Sequence, residues 1–524
     1  MAMGFHAKDY TFAPTGVSFR TADSRLQEIY NRGENFLREN EVVYNDKTLI
    51  KEGAVYSFIW LETQPMGGEM YTKRNVEVGL NNILIFMQYQ RRDGRFPGMI
   101  AMDTRSDGRI AAHFDWMQGY YFARPALKAA YLIRQDRGYL EKLYHALKDF
   151  DSYLWSVRDS DGDGCLETWC TWDTGEDHCA RFLNLGAKEG KFGGETAPYG
   201  EGKLPYESME YMAYSYTNRD ILSKVSALLE NGEEEYWRTE AEKVRSKVQE
   251  YLWIPEKHAC YDRDCNNEFI DSLTHINFRC MYHGLFTQQM ADEFLYYHLM
   301  NPDEFWTNYP LTATAVNDPF FLNDPANNWS GPCQGLIYQR SIEALHNYGH
   351  FAEAVQVGRK VLELPCRTGV FYQQYDPFTG EPGKSLDGYG PMIFAFMEYI
   401  SFMQGVNISM GEAHWSNAAG CADSSYTQKM FGREYTIERT AGRMTAFIDG
   451  RELFSASKGL RVVTDTDGKI LRVLCIDTVS EGSVSAGGKT FCGKVAPNGV
   501  YALQEGSLVR IGGADYYTPG VRPE

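Results

Sequence analysis

Apolar residues recur at i, i+3 and i+4 along most of the first 405 positions, the spacing that puts them on one face of an α-helix. The stretches 24–40, 76–90, 117–133, 139–157, 206–217, 235–253, 291–300, 334–349, 350–364 and 390–403 carry it, and the spacing predicts about eleven helices. Aromatic-rich members alternate with charge-rich ones, the pattern of hairpins with one buried and one outer helix. Between some pairs lie long loops, 156–203 and 364–389, which hold much of the Gly, Pro, Asp and Trp. Long loops on a rigid scaffold are where function concentrates. After about residue 422 the period becomes two. Alternating segments such as REYTIERTA, RMTAFID and KILRVLCID are separated by Asp-Gly and Asn-Gly turns, which predicts a small β-sandwich. The expected division is a helical catalytic domain over 1–408 and a β-sandwich accessory domain over 420–524, joined by a linker at 406–422. Helical hairpins followed by a β-domain are the layout of an (α/α) toroid enzyme.

Composition narrows the function. The 524 residues carry a formal net charge of -18. Nothing supplies the basic stripe that phosphate contacts need, so a nucleic-acid partner is excluded, and an anionic membrane surface with it. No apolar run reaches the length of a membrane span. Aromatics make up 14%, including 35 Tyr and 10 Trp. Such an excess suits sugar sites, because a pyranose ring presents a flat apolar face to a π-system; a core rich in Tyr is the plainer source. The 11 cysteines show no CxxC spacing, which points to a reducing, cytoplasmic compartment, and MAMGFHAKDYTFAP does not read as a signal peptide. The sequons at Asn328 and Asn407 are then accidental.

The motifs of nucleotide, zinc-protease and serine-hydrolase chemistry are absent. DSDGDGCLE at 159–167 imitates the start of a calcium loop, with Asp159, Asp161 and Asp163 at positions 1, 3 and 5. Position 12, where an EF-hand needs an acid, is Cys170. A polar turn is the preferred reading, with Ca²⁺ as a weak alternative and no other cofactor expected.

The stretch TWDTGEDHCARF, 171–182, concentrates acids between tryptophans and an arginine. A carboxyl that stays protonated near neutrality needs burial among aromatics or a second acid nearby, and Trp169, Trp172, Asp173 and Glu176 offer both to Asp177. The alternative is an acidic loop capping the helix at 203–217. DTGEDHCARF resembles the acid loop of trehalase-like and family 63 glycoside hydrolases, approximately [DE]-[ST]-G-x-D-x-x-x-R-[FW], through Asp173, Thr174, Gly175, Asp177, Arg181 and Phe182. Further resemblances follow in the family's order. They are the loop with Asp93, Gly94 and Pro97, then NNWSGPCQG with Trp329, Gly331 and Pro332, then FYQQYDPFTGEP, and DGYGP with Tyr389.

The resemblance spans about residues 60–400 and implies an (α/α)6 barrel. It implies Asp177 as general acid, with Arg181 holding the site by charge-assisted hydrogen bonds. It also implies a small α-linked glycoside as substrate, with Trp116, Trp169, Trp172, Asp173, Arg181, Trp329, Gln334, Gln374, Tyr375 and Tyr389 around it. The departures fall on the other side of the reaction. Gln373 stands where the family has its general base Glu, and an amide cannot take a proton from water at useful rates. Ser330 and Gln334 replace an Arg and a Trp, and the family's Trp-Asp near the first hairpin is replaced by GGEMYTKRNVE. An inverting hydrolase with its base moved to another acid is the first reading. Asp376, Glu381, Asp387, Glu69 and Glu77 are candidates, and Glu69 and Glu77 are preferred because they fall in a stretch that departs from the family. The second is a phosphorylase, in which phosphate needs no base and Arg367 and Lys384 flank the altered position. The third is a sugar-binding relative without catalysis. Oligomeric state is left open.

Overall fold

The computed structural model describes residues 4–103, 109–194 and 196–524; residues 1–3, part of the stretch read for a signal peptide, lie outside the described residues. The helices form consecutive pairs: Gln64–Tyr71 with Val76–Gln88, Ala123–Leu132 with Arg137–Val157, Met209–Leu229 with Glu234–Tyr251, Ile276–His283 with Gln288–Phe294, and Gly335–His346 with Phe351–Thr368. Gly390–Gln404 packs on Ser24–Glu39. The first helix of each pair packs on the first helix of the next, and Gly390–Gln404 packs back on Gln64–Tyr71.

Two of these inner helices escape the periodicity reading. Gln64–Tyr71 and Ile276–His283 are buried nearly all round, so neither shows an amphipathic stripe. Gln64–Tyr71 also holds Gly67 and Gly68, which sequence alone reads as a break. Their use is close approach. A Cβ on Gly79 of the neighbouring helix would collide with the Gly68 carbonyl oxygen, so the helix pair needs both glycines bare.

The β-region is larger than the expected sandwich. Thirteen strands form one sheet in the order Gly16–Thr21, Ser424–Met430, Arg433–Thr440, Arg443–Ile448, Arg451–Ser457, Glu481–Ala486, Lys489–Lys494, Ser507–Gly513, Gly499–Gln504, Ile470–Cys475, Leu460–Asp465, Glu412–Asn417, Val406–Ser409. The sheet folds back so that Trp415 packs 6.0 Å, ring to ring, from both Tyr435 and Phe454. The segment 406–417, expected as linker, supplies two of its strands, and Gly16–Thr21 supplies a third from the far end of the chain. Alternation across so short a segment as VNIS is masked, because three of its four residues are buried. Among the described residues no cysteine is disulfide-bonded, and Asn328 and Asn407 are buried, 4% and 6% exposed. Among the described residues no helix is long and apolar enough to cross a membrane.

Candidate active site

The long loops meet on one face of the helical region. Cys333–Gln334 pairs antiparallel with Gln374–Tyr375, and the Trp329 amide donates to the Asp177 carbonyl at 3.1 Å. Between them lies a cavity of about 220 Å³ lined by Glu52, Tyr56, Trp60, Glu62, Gln118, Trp172, Gly175, Asp177, Trp329, Leu336, Gln373 and Tyr389.

Asp177 is half-buried, and its Oδ2 accepts from Asn327 Nδ2 at 2.7 Å. Burial pushes its carboxyl up to about 7; the charges of Glu62 and Glu189 add to this, while the Asn327 hydrogen bond and His178 oppose it. A carboxyl titrating there can hold a proton at neutrality and release it, which is what a general acid does. Asn327 also accepts from Gln373 Nε2 at 3.0 Å, and Gln373 Oε1 accepts from the Tyr56 hydroxyl at 2.9 Å. A chain of hydrogen bonds therefore runs Asp177, Asn327, Gln373, Tyr56. The Tyr56 ring lies 6.0 Å from that of Tyr389, and Tyr389 and Glu52 line the cavity together.

Two further carboxylates face this space. Glu62 is 3% exposed and pairs with Arg340 at 2.9 Å and Arg279 at 3.4 Å. Gly175, at φ +73°, makes room for it: a Cβ there would collide with Glu62 Oε2. Glu52 is 5% exposed and has no cation partner among the described residues. Burial raises its carboxyl well above the usual range, and the charges of Glu62 and Asp177 push the same way, against Tyr389 and Arg340.

Of the residues expected around a sugar, Trp172, Trp329, Tyr389, Gln373 and Asp177 line the cavity. Trp116 stands one layer back, its ring 5.8 Å from Trp172 and 6.3 Å from Trp60. The others hold the walls. Asp173 is fully buried and accepts from the Met117 and Trp169 amides, each at 2.9 Å, and from Arg158 at 2.6 Å. Burial alone would raise its carboxyl, but Arg158 holds it below the usual range. Arg181 is clamped between Glu176, at 2.6 Å, and Asp262. Trp169 donates to Glu167 at 2.6 Å and stacks under Arg158. Gln374 pins the loop bearing Asn327, donating to the Ala326 carbonyl at 2.6 Å. Gln334 donates to the Asn328 carbonyl at 2.7 Å, and the Tyr375 hydroxyl to the Val370 carbonyl at 2.7 Å.

The preferred base candidates lie elsewhere. Glu69 lines a separate cavity of about 320 Å³ with Lys128 and Glu343, because its helix face turns away from the loops. Glu77 sits in the first turn of Val76–Gln88 and pairs with Lys8 at 3.4 Å. Asp376 caps its own turn through the Phe378 and Thr379 amides, Glu381 pairs with Arg367 at 3.2 Å, and Asp387 pairs with Arg32; none lines the cavity. Sequence reasoning missed Glu52, Tyr56, Trp60, Glu62, Gln118 and Asn327. The signal for two of them was present: Trp60-Leu61-Glu62 puts a tryptophan and an acid just ahead of the first inner helix, upstream of the stretch in which the replacement was sought.

The carboxylates of Asp159, Asp161 and Asp163 lie within 4.8 Å of one another, and Asp161 is equally close to Glu167 and Glu207. Asp159 and Asp163 also accept from the Gly164 and Cys165 amides, at 3.3 and 2.7 Å, which organises the loop as a polar turn.

A tunable acid at the end of an aromatic-walled cavity is glycosidase architecture, and comparison with known proteins agrees. Residues 71–390 match the family model described as the mannosylglycerate hydrolase MGH1-like glycoside hydrolase domain. The chain belongs to this family of glycoside hydrolases, the family 63-type relationship that the acid loop implied. Among solved structures, the GH63 mannosylglycerate hydrolase from Thermus thermophilus, in complex with glucose, is 18% identical with a TM-score of 0.57. It is matched over 71% of this chain and 99% of its own. The neutral trehalase of Saccharomyces cerevisiae is 12% identical, TM-score 0.52, over 68% of this chain and 73% of that one. A sialidase is 14% identical, TM-score 0.63, over 86% of this chain and 42% of its own. At these identities the likeness is one of fold. Among curated proteins, none matches the chain.

Proposed function

We propose that this protein hydrolyses a small glycoside with inversion, Asp177 protonating the glycosidic oxygen as the bond breaks. The observation that carries the reading is Asp177 itself, a carboxyl at the cavity wall that burial pushes to about 7. Trp172, Trp329 and Tyr56 would hold the sugar faces, and Glu62, oriented by Arg340 and Arg279, would accept from sugar hydroxyls. The volume of about 220 Å³ lies below the ~300–1,000 Å³ of drug-sized ligand sites, which favours a single ring over a chain. An α-linkage follows the family resemblance. The same reading takes the helical pairs as an (α/α)6 barrel, supported by the closed succession of inner-helix contacts.

Phosphorolysis is the second reading and is weaker. No Lys or Arg is among the residues lining the cavity, and Arg367 is spent on Glu381 and the Thr379 carbonyl. A sugar-binding role without catalysis leaves the raised Asp177 unused. Turnover of an α-glycoside panel with and without phosphate, with the first product followed by ¹H NMR, tests the choice. The expected product is free sugar of inverted configuration; strict phosphate dependence with a sugar 1-phosphate would reject hydrolysis.

Calcium at Asp159, Asp161 and Asp163 stands as a separate proposal. Its support is Glu207, whose carboxyl burial and the charges of Asp163, Glu167 and Asp161 push up to about 9, and whose Oε2 has no hydrogen-bond partner.

A further inference from the structure

Inversion needs a carboxylate to take the proton of the attacking water, and Gln373 cannot supply it. Asp177, Glu62 and Glu52 line the cavity. Asp177 is the acid. Glu62 is committed to two arginines. Glu189, beyond the lining, sits on the acid's own side, accepting from the Trp172 indole at 2.6 Å and the His178 amide at 3.2 Å. Glu52 is left.

Its placement suits the task. The succession Asp177, Asn327, Gln373, Tyr56, Tyr389 runs from the acid through the position of the family's base, and Tyr389 at its far end lines the cavity with Glu52. The backbone around Glu52 is tied to the segment that follows Gln373. Gly53 bridges Tyr389, and the Glu52 carbonyl accepts from the Gly390 amide at 2.7 Å. Resting on the hydrolase reading above, we propose that Glu52 is the catalytic base of this protein, its carboxylate having taken over from the position now held by Gln373.

The step balances as follows. Glu52 takes a proton from water as the water oxygen bonds to the anomeric carbon. The bond from that carbon to the departing oxygen breaks, and Asp177 gives its proton to that oxygen. Solvent then returns the proton from Glu52 to Asp177. Burial raises both working groups: the charges of Glu62 and Asp177 push Glu52 up against Tyr389 and Arg340, and those of Glu62 and Glu189 push Asp177 up against Asn327 and His178. The arrangement with the proton on Asp177 is the reactive one.

The test uses the full chain and the α-glycosyl fluoride of whichever sugar the wild type hydrolyses. Glu52→Gln and Glu52→Ala should each lose about 10²-fold or more in kcat with KM little changed. Azide added to Glu52→Ala should restore turnover and give a glycosyl azide of inverted configuration, because azide needs no base. Circular dichroism checks that both variants are folded. A folded Glu52→Ala that azide does not rescue, or a Glu52→Gln within twofold of wild type, would overturn the assignment while leaving the hydrolase standing. A wild type silent on every glycoside, or strictly dependent on phosphate, would instead remove the hydrolase reading and Glu52 with it.

Discussion

The two walls of the cavity are built differently. The acid wall, 171–182, is braced by fully buried ion pairs. Arg158 holds Asp173, and Arg181 spans Glu176 and Asp262, so the loop can present Asp177 in one geometry. The opposite wall is held by neutral groups: Gln373, Asn327 and Tyr56 satisfy one another, and Gln374 secures the loop behind them. One wall keeps its charges for architecture and turns a single acid, Asp177, to the cavity. On the other, an amide, Gln373, lines the cavity, and Glu52, the acid without a cation partner among the described residues, lies outside the motif. A motif thus reports the scaffold as much as the chemistry, since most of the residues that matched the acid loop never reach the cavity.

Breaking the acid wall should have the largest effect on the fold. Arg158→Met leaves Asp173 buried without its cation, and loss of one partner of a buried pair costs about 3–5 kcal/mol. The measurement is urea unfolding, and a cost near zero would mean that the wall does not rely on the pair. On the opposite wall, Gln373→Glu in the Glu52→Gln background should return a carboxylate to the family's position and recover about tenfold in kcat over Glu52→Gln alone. No recovery would say that the two walls have moved apart beyond what one carboxylate can bridge.

Calcium sharpens the contrast from outside the cavity, in the loop that leads into the acid wall. At ten times its Kd, Ca²⁺ should stabilise the fold by about 1.4 kcal/mol. Calorimetric scans with calcium and with chelator should differ, and Asp161→Asn should abolish the difference; identical scans for the wild type would reject the site. A further effect is electrostatic. Asp177 has a folded value near 7 against an ordinary 3.8, so its protonation stabilises the native state fully below about pH 4, and that contribution is lost as pH rises to about 7. Asp177→Asn should therefore gain in Tm on the wild type between about pH 4 and pH 7 and hold the gain above. A gap independent of pH would mean that Asp177 ionises normally.

Much of this was legible in the sequence. Outer helices such as Arg137–Val157 and Phe351–Thr368 carry a strong apolar stripe and read directly. The short inner helices Gln64–Tyr71 and Ile276–His283 were invisible, because nearly every side of so short a stretch is buried and no stripe stands out. Asp177 was legible because the acid loop is local, its residues lying close together along the chain. Glu52 and Asn327 were not, since they join the site only through pairing across the chain, Gly53 with Tyr389 and Asn327 with Asp177. Glu69 misled because its stretch departs from the family, and a departure in sequence says nothing about which face of a helix a side chain takes.

The central claim is that Asp177 protonates the leaving group, and leaving-group dependence tests it most directly. Rates for wild type and Asp177→Asn should be compared on an unactivated alkyl glycoside and on the fluoride of the same sugar, whose departure needs little protonation. The expected result is a loss of about 10²–10⁴-fold on the alkyl glycoside with the fluoride rate largely kept. An equal loss on both substrates, or no loss on either, would contradict it.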